Sequence, residues 1–510
     1  MAVLIKGGRV LRVAERRIEP ADVLVRDDTI VAVGRLDAVE NAETIDATGT
    51  IVMPGLVNAH THSHGALARG TGDAWTLELL LNYQAPLNAN RTPHDHYVAA
   101  LLNGIEMLES GCTACYDLFV NFPAPTLESI DAVLRAYAEL GIRAVVAPAV
   151  ADLPFYSIVP GLEESLPPEL RATLTSRRPA PGSVILEALD AAIRRWDRAR
   201  GDRIRLAVAP TIPAQCSDAF LAGCGRLARD RGTGFHTHTA ESKTQAIYAG
   251  QRYGTTIPGH LYRLGLLGRE TVLAHSIWLT DEDVRRIADS GAIIAHNPAS
   301  NLKLGNGIAP VRDLLEAGVT VALGTDSSGC SDNQNVFEAL RFAALVSRAR
   351  DVDIQRWVTA AEALAMATGG GARALGLGED LGDVVPGQKA DLVLLDAGSI
   401  YLTPLNDVIG QLVFAENGQG VRTVLVDGRT VVRDGRVLTV DKEWVQREAR
   451  AAAERLWISN GAEWELARRV ATHTAAVCSA LVTQSLPGYL AAFPAVRGEA
   501  STTTVDRVTP

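Results

Sequence analysis

Two histidines that are one residue apart, His60 and His62, stand at the end of a long apolar run. Residues 51–57 precede them, and a run of this kind around Pro54 and Gly55 predicts a buried strand. Side chains two apart on a strand point to the same side, so both imidazoles should face one point. Converging nitrogen donors are what a zinc or iron(II) ion takes as its first ligands. The alternative is a His-x-His pair that arose by chance.

Three further runs end in residues of the same kind, which argues against chance. Each is a short β-rich segment, and the residues at the three ends are His238 with Glu241, then His275, then Asp326. Ligand-type side chains at four strand ends of one chain predict a metallohydrolase. Its metal site would be assembled from segments that are far apart in sequence.

The candidate strands are separated by helical segments. Besides the histidine-bearing runs, strands are predicted at residues 113–118, 143–150, 204–211 and 291–297, and residues 184–196 show helical spacing of apolar side chains. Strands that alternate with helices pair in parallel, and eight such units predict an α/β fold, the (β/α)8 barrel. The chemistry of such a barrel lies at the C-terminal ends of its strands.

Both ends of the chain differ from this pattern. Residues 1–54 and 382–440 consist of short β segments broken by turns, and neither is long enough for a convincing core. We therefore expect them to pack together as one small β-sandwich beside a barrel of residues 55–381. Residues 441–510 are expected to form a helix, at about 444–457, and a tail.

Composition narrows the class of partner. The chain has 510 residues, 47% of them hydrophobic, and a formal net charge of −10. An acidic chain without a basic stripe argues against nucleic acid, because phosphates require clustered Lys and Arg. No run is long and apolar enough to predict a membrane span. The expectation is a cytoplasmic enzyme with a small-molecule substrate, acting as a monomer or as a homo-oligomer.

The six cysteines predict reduced thiols rather than a disulfide framework, because the chain is long and their spacing is irregular. Cys112 and Cys115 have the spacing of half a zinc site or of a redox pair. No second pair has matching spacing, so we interpret them as small residues that enter a strand.

Together, these motifs resemble the amidohydrolase superfamily, and within it the branch of aminohydrolases and chlorohydrolases that act on nitrogen heterocycles. The resemblance covers nearly the whole chain. It rests on the segments PGLVNAHTH at 54–62, HTAE at 238–241, AH at 274–275, HNPASN at 296–301, GTD at 324–326 and PGQKADL at 386–392. It implies a metal-dependent hydrolase of carbon–nitrogen bonds, with a deaminase as the leading hypothesis.

Carried over residue by residue, the resemblance implies four metal ligands: His60, His62, His238 and Asp326. His275 would lie beside the metal, either as a ligand or as a partner of its water. Strand periodicity cannot choose between His236 and His238, because both face the same way. The His-x-x-Glu spacing of the family selects His238.

The resemblance also implies the number of ions and the roles of the acid–base residues. Members with two ions usually carry a carbamylated lysine at the end of a middle strand, and residues 143–150 and 204–211 contain none. One divalent ion is therefore expected, Zn²⁺ by preference and Fe²⁺ as the alternative. Asp326 would accept a proton from the metal's water, His275 would orient that water, and Glu241 would protonate the ring nitrogen beside the attacked carbon.

The residues that would face the substrate depart from one group of relatives. Those that deaminate adenosine-type thioethers have a carboxylate that holds the ribose where Asn88 stands. A free purine, pyrimidine, pterin or triazine is therefore expected rather than a ribosyl compound. Gln84 and His296 are further candidate substrate contacts.

Residues 152–182 form a long connection after the third strand. Such segments are usually functional or disordered, and this position predicts that it covers the barrel mouth. We expect Phe155 or Tyr156 to contact the substrate ring, and the alternative is a solvated insertion.

Two other functions remain open at this point. The first is hydrolysis of a cyclic or linear amide or urea, or removal of a halide or alkylamine from a heterocycle. The second is a non-catalytic barrel scaffold. The complete ligand set argues against a scaffold, since burying polar ligands without a metal is costly.

Overall fold

Eight parallel strand positions follow one another along the chain, in a computed structural model that describes residues 2–196 and 203–492. Three positions are divided into two short pieces. The strands are Leu56–His62, Cys112–Asp117, Arg143–Val146 with Ala149–Val150, Ile204–Leu206 with Ala209–Pro210, Phe235–Thr239, Thr271–His275, Ile293–His296, and Val321–Leu323 with Asp326–Ser327.

These strands pair with their sequence neighbours in a circuit. Parallel ladders join the first four positions and the last four, and a bridge between Val208 and Phe235 joins the fourth to the fifth. The eighth position pairs back onto the first, with Asp326 opposite Thr61. All C-terminal strand ends therefore lie on one side of the circuit, and the predicted α/β class is confirmed.

Helices connect the strands, and ordinary capping residues set their ends. Thr92 and Asp95 form a capping box at the start of Pro93–Glu109, and Gly141, with φ 80°, ends Leu127–Leu140. The connecting helices are Leu77–Asn82, Gln84–Asn88, Pro93–Glu109, Leu127–Leu140, Gly182–Trp196, Asp218–Arg231, Lys243–Tyr253, Ile257–Arg263, Asp281–Ser290, Pro298–Lys303, Val311–Glu316, Val336–Arg350, Ala360–Ala365 and Gly371–Ala374.

The two ends of the chain form two further sheets, and strands from both ends occur together in one of them. One sheet contains, in spatial order, Thr29–Gly34, Asp22–Arg26, Ala2–Lys6 and Glu43–Asp46. The other runs Arg436–Val437, Arg429–Arg433, Val421–Val426, Leu392–Asp396, Thr50–Pro54, Arg9–Arg12 and Arg17–Pro20. Strand Thr50–Pro54 pairs antiparallel with Leu392–Asp396, so one sheet contains strands from both ends. Apolar side chains of the two sheets form a common buried cluster that includes Ile5, Val23, Leu392 and Leu394.

A buried ion cluster joins these sheets to the parallel strands. Arg143, at the beginning of the third strand, donates two hydrogen bonds to Asp391, at 3.0 and 3.1 Å, and a further one to Asp427. Bidentate guanidinium–carboxylate contacts of this kind fix geometry strongly. The cluster lies at the opposite strand ends from the candidate ligands, so it positions the flanking sheets away from the site.

The segments after strands and at the C-terminus contain more helix than the sequence predicted. Residues 152–182 contain the 3₁₀ turn Phe155–Ile158 and the helices Leu162–Ser165 and Pro168–Thr175. The helix expected at about 444–457 spans Lys442–Ser459, and a second helix, Gly461–Leu481, lies in the tail, for which the sequence predicted no particular structure. Its buried residues recur at three and four, from Trp464 to Leu481, which is a helical signal that sequence analysis missed. Residues 493–510 of the predicted tail lie outside the described residues.

None of the helices within residues 2–196 and 203–492 has the length and apolar character that crossing a membrane requires.

Candidate active site

The four predicted ligands converge at the C-terminal ends of three strands. His62 belongs to the first strand and His238 to the fifth, and their Nε2 atoms are 3.1 Å apart. Asp326, in the eighth strand, places Oδ1 3.2 Å from Nε2 of His62 and 3.8 Å from Nε2 of His60. The ligand atoms of His60, His62 and His238 lie within 4.8 Å of one another, as do those of His60, His275 and Asp326. Because both groups share His60, they describe one centre.

Backbone carbonyls orient two of these imidazoles. Nδ1 of His62 lies 2.5 Å from the carbonyl oxygen of Leu118, and Nδ1 of His238 lies 2.5 Å from that of Thr211. A carbonyl can only accept, so each Nδ1 carries the hydrogen and each Nε2 keeps its lone pair. Both lone pairs are therefore free for a cation, which is the usual arrangement of metal-binding histidines.

His60 is oriented by a second histidine. Its Nδ1 lies 3.2 Å from Nε2 of His236, which places His236 behind a predicted ligand and not at the centre. Nε2 of His60 is buried and has no hydrogen-bond partner among the described residues. A buried nitrogen without a partner is costly. The donor set of three imidazoles and one carboxylate therefore fits a divalent cation.

Electrostatics favour the metal-binding forms of His60, His238 and Asp326. Burial, followed by the neighbouring imidazoles, lowers the pKa of His60 well below its usual value, and burial lowers the pKa of His238 to about 3. Burial is the largest single influence on Asp326 and acts against its ionisation, but the contacts with His62, His275 and Ser300 together outweigh burial and lower the pKa of Asp326. Neutral imidazoles and an ionised carboxylate are the ligand forms that metal binding requires.

His275 lies beside the centre at the end of the sixth strand. Its Nε2 is 3.7 Å from Oε1 of Glu241 and 3.8 Å from Oδ2 of Asp326. Oδ1 of Asn301 lies 2.8 Å from Nδ1 and holds the ring. The backbone of both His275 and Asp326 is left-handed, with φ of 67° and 64°. Non-glycine residues adopt this conformation at a cost and concentrate at functional sites.

Glu241 is a buried carboxyl group with spare hydrogen-bonding capacity. Asn306 donates to its Oε1 at 3.2 Å, whereas Oε2 is buried without a partner among the described residues. Burial, followed by the charges of Asp326 and Glu78, raises the pKa of Glu241 well above its usual value. A carboxyl group that keeps its proton near neutral pH is suited to act as a general acid.

A cavity of about 590 Å³ opens beside this centre. Gln84, Phe155 and Tyr156 line it as the sequence predicted, together with His62, His238, Glu241 and Asp326. His296 does not line it, which corrects the expectation of a substrate contact. His296 is 1% exposed, and neither ring nitrogen has a partner among the described residues.

In residues 152–182, the predicted cover of the cavity, the two aromatic side chains Phe155 and Tyr156 have different roles. The hydroxyl of Tyr156 donates to the carbonyl oxygen of Leu174 at 3.1 Å, so this group stabilises the segment itself. Phe155 is partly buried, and its side chain has no group that could form a hydrogen bond with the segment. Its ring therefore gives the cavity an apolar surface.

Replacing Phe155 by alanine should raise KM by about tenfold, since losing part of the burial of such a ring costs on the order of 1.4 kcal/mol. Steady-state kinetics would measure this, with Ser157→Ala as the control because Ser157 is exposed in the same turn. An unchanged KM for Phe155→Ala would favour a solvated insertion without a role in binding.

The C-terminal helix supplies a wall that the sequence analysis did not foresee. Leu466, Ala467 and Val470 of Gly461–Leu481 line the cavity, and Glu463 at its rim pairs with Arg177. Asn306, the partner of Glu241, was also missed. No motif marks these residues, because their roles depend only on where the chain returns.

The chain matches the amidohydrolase family over residues 51–431, and it belongs to this family. It is 34% identical over 441 residues to a 5'-deoxyadenosine deaminase of Methanosarcina mazei, covering 86% of this chain and 94% of the relative. It is 34% identical over 459 residues to a 5-methylthioadenosine/S-adenosylhomocysteine deaminase of Caldanaerobacter subterraneus, covering 89% and 99%.

Two solved structures resemble the fold closely. An adenosine deaminase from Xanthomonas campestris with bound zinc has a TM-score of 0.79 at 27% identity, covering 89% of this chain and 98% of that one. An atrazine chlorohydrolase from Arthrobacter aurescens TC1 complexed with zinc has a TM-score of 0.79 at 28% identity, covering 88% and 100%. The predicted class, a metal-dependent hydrolytic deaminase of a nitrogen heterocycle, is confirmed.

Proposed function

We propose that this protein hydrolytically deaminates an aminopurine that carries a substituent, with one divalent ion held by His60, His62, His238 and Asp326. The observation that carries the proposal is the buried Glu241, whose Oε2 has no partner among the described residues, beside that donor set. In this proposal, residues 55–381 form a (β/α)8 barrel and residues 1–54 with 382–440 a β-sandwich. Residues 441–510 add the helix pair and the tail.

The donor chemistry favours zinc over iron. Three imidazole nitrogens and one carboxylate are a common zinc set, and the zinc named in both similar structures supports the same choice. A divalent ion acts as a Lewis acid that makes a water molecule easier to deprotonate. The absence of lysine from residues 143–150 and 204–211 supports one ion per chain.

The side chains around the centre divide the acid–base work. Asp326 accepts a proton from water, and His275 orients that water, because its Nε2 lies between the two carboxyl groups. Glu241 donates its proton to the ring nitrogen next to the attacked carbon. Protonation of that nitrogen makes the carbon more electrophilic. The oxygen of water bonds to that carbon, and Asp326 passes the proton it accepted to the amino group. The bond between the carbon and the amino nitrogen then breaks, ammonia leaves, and the hydroxyl proton of the oxo product returns to Glu241.

Cavity size supports a substituted purine rather than a free ring. A volume of about 590 Å³ lies in the range of sites that enclose drug-sized ligands, which is larger than a single heterocycle requires. The deoxyadenosine- and adenosine-type substrates named for the relatives agree with this size. This proposal departs from the free heterocycle that the sequence alone suggested.

Asn88 can offer one hydrogen-bond acceptor, its side-chain oxygen, to such a substituent. Its Nδ2 donates to Oε1 of Gln84 at 2.7 Å, and its Oδ1 is buried with no partner among the described residues. A neutral amide oxygen can accept one hydrogen bond from a hydroxyl group. It binds a sugar less strongly than a carboxylate would, since charged acceptors form stronger hydrogen bonds.

A matched panel of substrates tests the proposal. Zinc-loaded protein would be assayed for ammonia with 5'-deoxyadenosine, adenosine, adenine and an aminotriazine. We expect kcat/KM for the best nucleoside to exceed that for adenine by at least about tenfold, the value of a few well-placed contacts. Preference for adenine or the triazine would restore the free-heterocycle hypothesis. Hydrolysis of amides or ureas without any deamination would contradict the proposal.

A further inference from the structure

One histidine in the cavity wall has no part in the proposed chemistry. His64 lies two residues beyond His62, in the 3₁₀ helix Ser63–Ala68, and is 6% exposed. It lines the cavity, and its ring centroid is 5.5 Å from that of His62. His64 therefore borders the space beside the metal centre in which the reacting ring must lie.

A backbone hydrogen bond determines which nitrogen of His64 carries the hydrogen. The N–H of Val120 donates to Nδ1 at 3.0 Å. A nitrogen that accepts a hydrogen bond cannot carry a hydrogen, so the neutral imidazole carries its hydrogen on Nε2. In the described part of the chain, Nε2 has no hydrogen-bond partner. His64 thus presents a fixed donor to the cavity.

The circuit of strands places this donor opposite Glu241. His64 follows the first strand and Glu241 follows the fifth, and these positions lie across the circuit from each other. Both side chains line the same cavity. A ring held between them can therefore be contacted on both sides of its attacked carbon.

We propose that His64 is a specificity-determining residue whose Nε2 donates a hydrogen bond to N7 of the purine. This inference rests on the proposed function. In an aminopurine, N1 and N7 flank the carbon that bears the amino group, whereas N3 lies on the far side of the ring. Glu241 serves N1, so the donor across the cavity serves N7. Pyrimidines and triazines have no atom at the position of N7. A hydrogen bond from His64 to N7 would therefore favour purines over these rings.

The test compares substrate analogues in two forms of the protein. 5'-Deoxyadenosine, its 7-deaza analogue and its 3-deaza analogue would be assayed with the wild type and with His64→Asn. Asparagine keeps an acceptor for the N–H of Val120 but is too short to place a donor at the Nε2 position. His94→Phe is the matched control, because His94 is a half-exposed histidine paired with Glu448, outside the cavity lining.

We expect the wild type to lose roughly tenfold or more in kcat/KM with the 7-deaza analogue, the scale of one neutral hydrogen bond. In His64→Asn, the loss in kcat/KM of the 7-deaza analogue relative to 5'-deoxyadenosine should shrink to about twofold. The kcat/KM of the 3-deaza analogue relative to 5'-deoxyadenosine, and the metal content, should stay as in the wild type. Comparing ratios removes the intrinsic effect of the ring change, as in a double-mutant cycle.

Each other outcome overturns a defined part of the inference. An unchanged 7-deaza ratio in His64→Asn would overturn the role of His64, and so would loss of the metal, which would show that the residue only supports the centre. If His64→Asn does not fold, His64→Ala, which also removes the donor, is used with the same criterion. If the wild type deaminates no nucleoside, the proposed function fails. His64 is then judged by calorimetric binding of purine riboside and 7-deazapurine riboside, and equal affinities would overturn it.

Discussion

Replacing His62 by alanine will leave the purified protein without its metal ion and without turnover. Nε2 of His62 lies 3.1 Å from that of His238 and 3.2 Å from Oδ1 of Asp326, so it occupies the middle of the donor set. The loss of metal affinity in His62→Ala should exceed the roughly 10- to 100-fold drop that follows when a residue that hydrogen-bonds to a metal ligand is replaced. Elemental analysis should find one ion per chain in the wild type and almost none in the variant.

A buried thiol provides the control for this substitution. Cys112 is fully buried in the second strand, and its Sγ lies 3.2 Å from the carbonyl oxygen of Ala114. In Cys112→Ser, a hydroxyl can make the same contact, so metal content and turnover should persist. Two tightly held ions in the wild type would contradict the single centre, and full metal retention in His62→Ala would contradict its role as a ligand.

Replacing Glu241 by glutamine will lower turnover by roughly a hundredfold or more while the metal stays bound, the usual scale for loss of general acid–base catalysis. Glutamine has nearly the same shape and can still accept the hydrogen bond from Asn306, which is 3.2 Å long. It cannot transfer a carboxyl proton to a ring nitrogen. Burial raises the pKa of Glu241, which favours the protonated form that a general acid requires.

The competing role for Glu241 is to orient a metal-binding histidine. The hydrogen-bond partners of those histidines argue against it, because Nδ1 of His62, His238 and His60 is already satisfied by Leu118, Thr211 and His236. Turnover measured at saturating metal distinguishes the two roles. Near-normal turnover together with weakened metal binding would favour the orienting role and would remove the main reason to prefer a deaminase over an amide hydrolase.

The sequence by itself determined the type of chemistry. Metal binding needs particular residue types, and strand periodicity places His60 and His62 on one face whatever the rest of the fold does. Ligand-type residues at the ends of four strands then required an α/β circuit to bring them together, and the structure shows that circuit. Helix Gly461–Leu481 also had a periodic signal in its buried residues, although it was not recognised.

Tertiary structure alone decided how the site is completed. The carbonyl oxygens of Leu118 and Thr211 orient two ligands, but every residue has a carbonyl group, so no residue type marks them. His296 stands at a strand end in a recognisable motif, yet it is buried and is not among the residues that line the cavity. Leu466 reaches the cavity wall only because the chain returns there after both flanking sheets. Such contacts depend on distances between segments far apart in sequence, which local patterns of residue type do not encode.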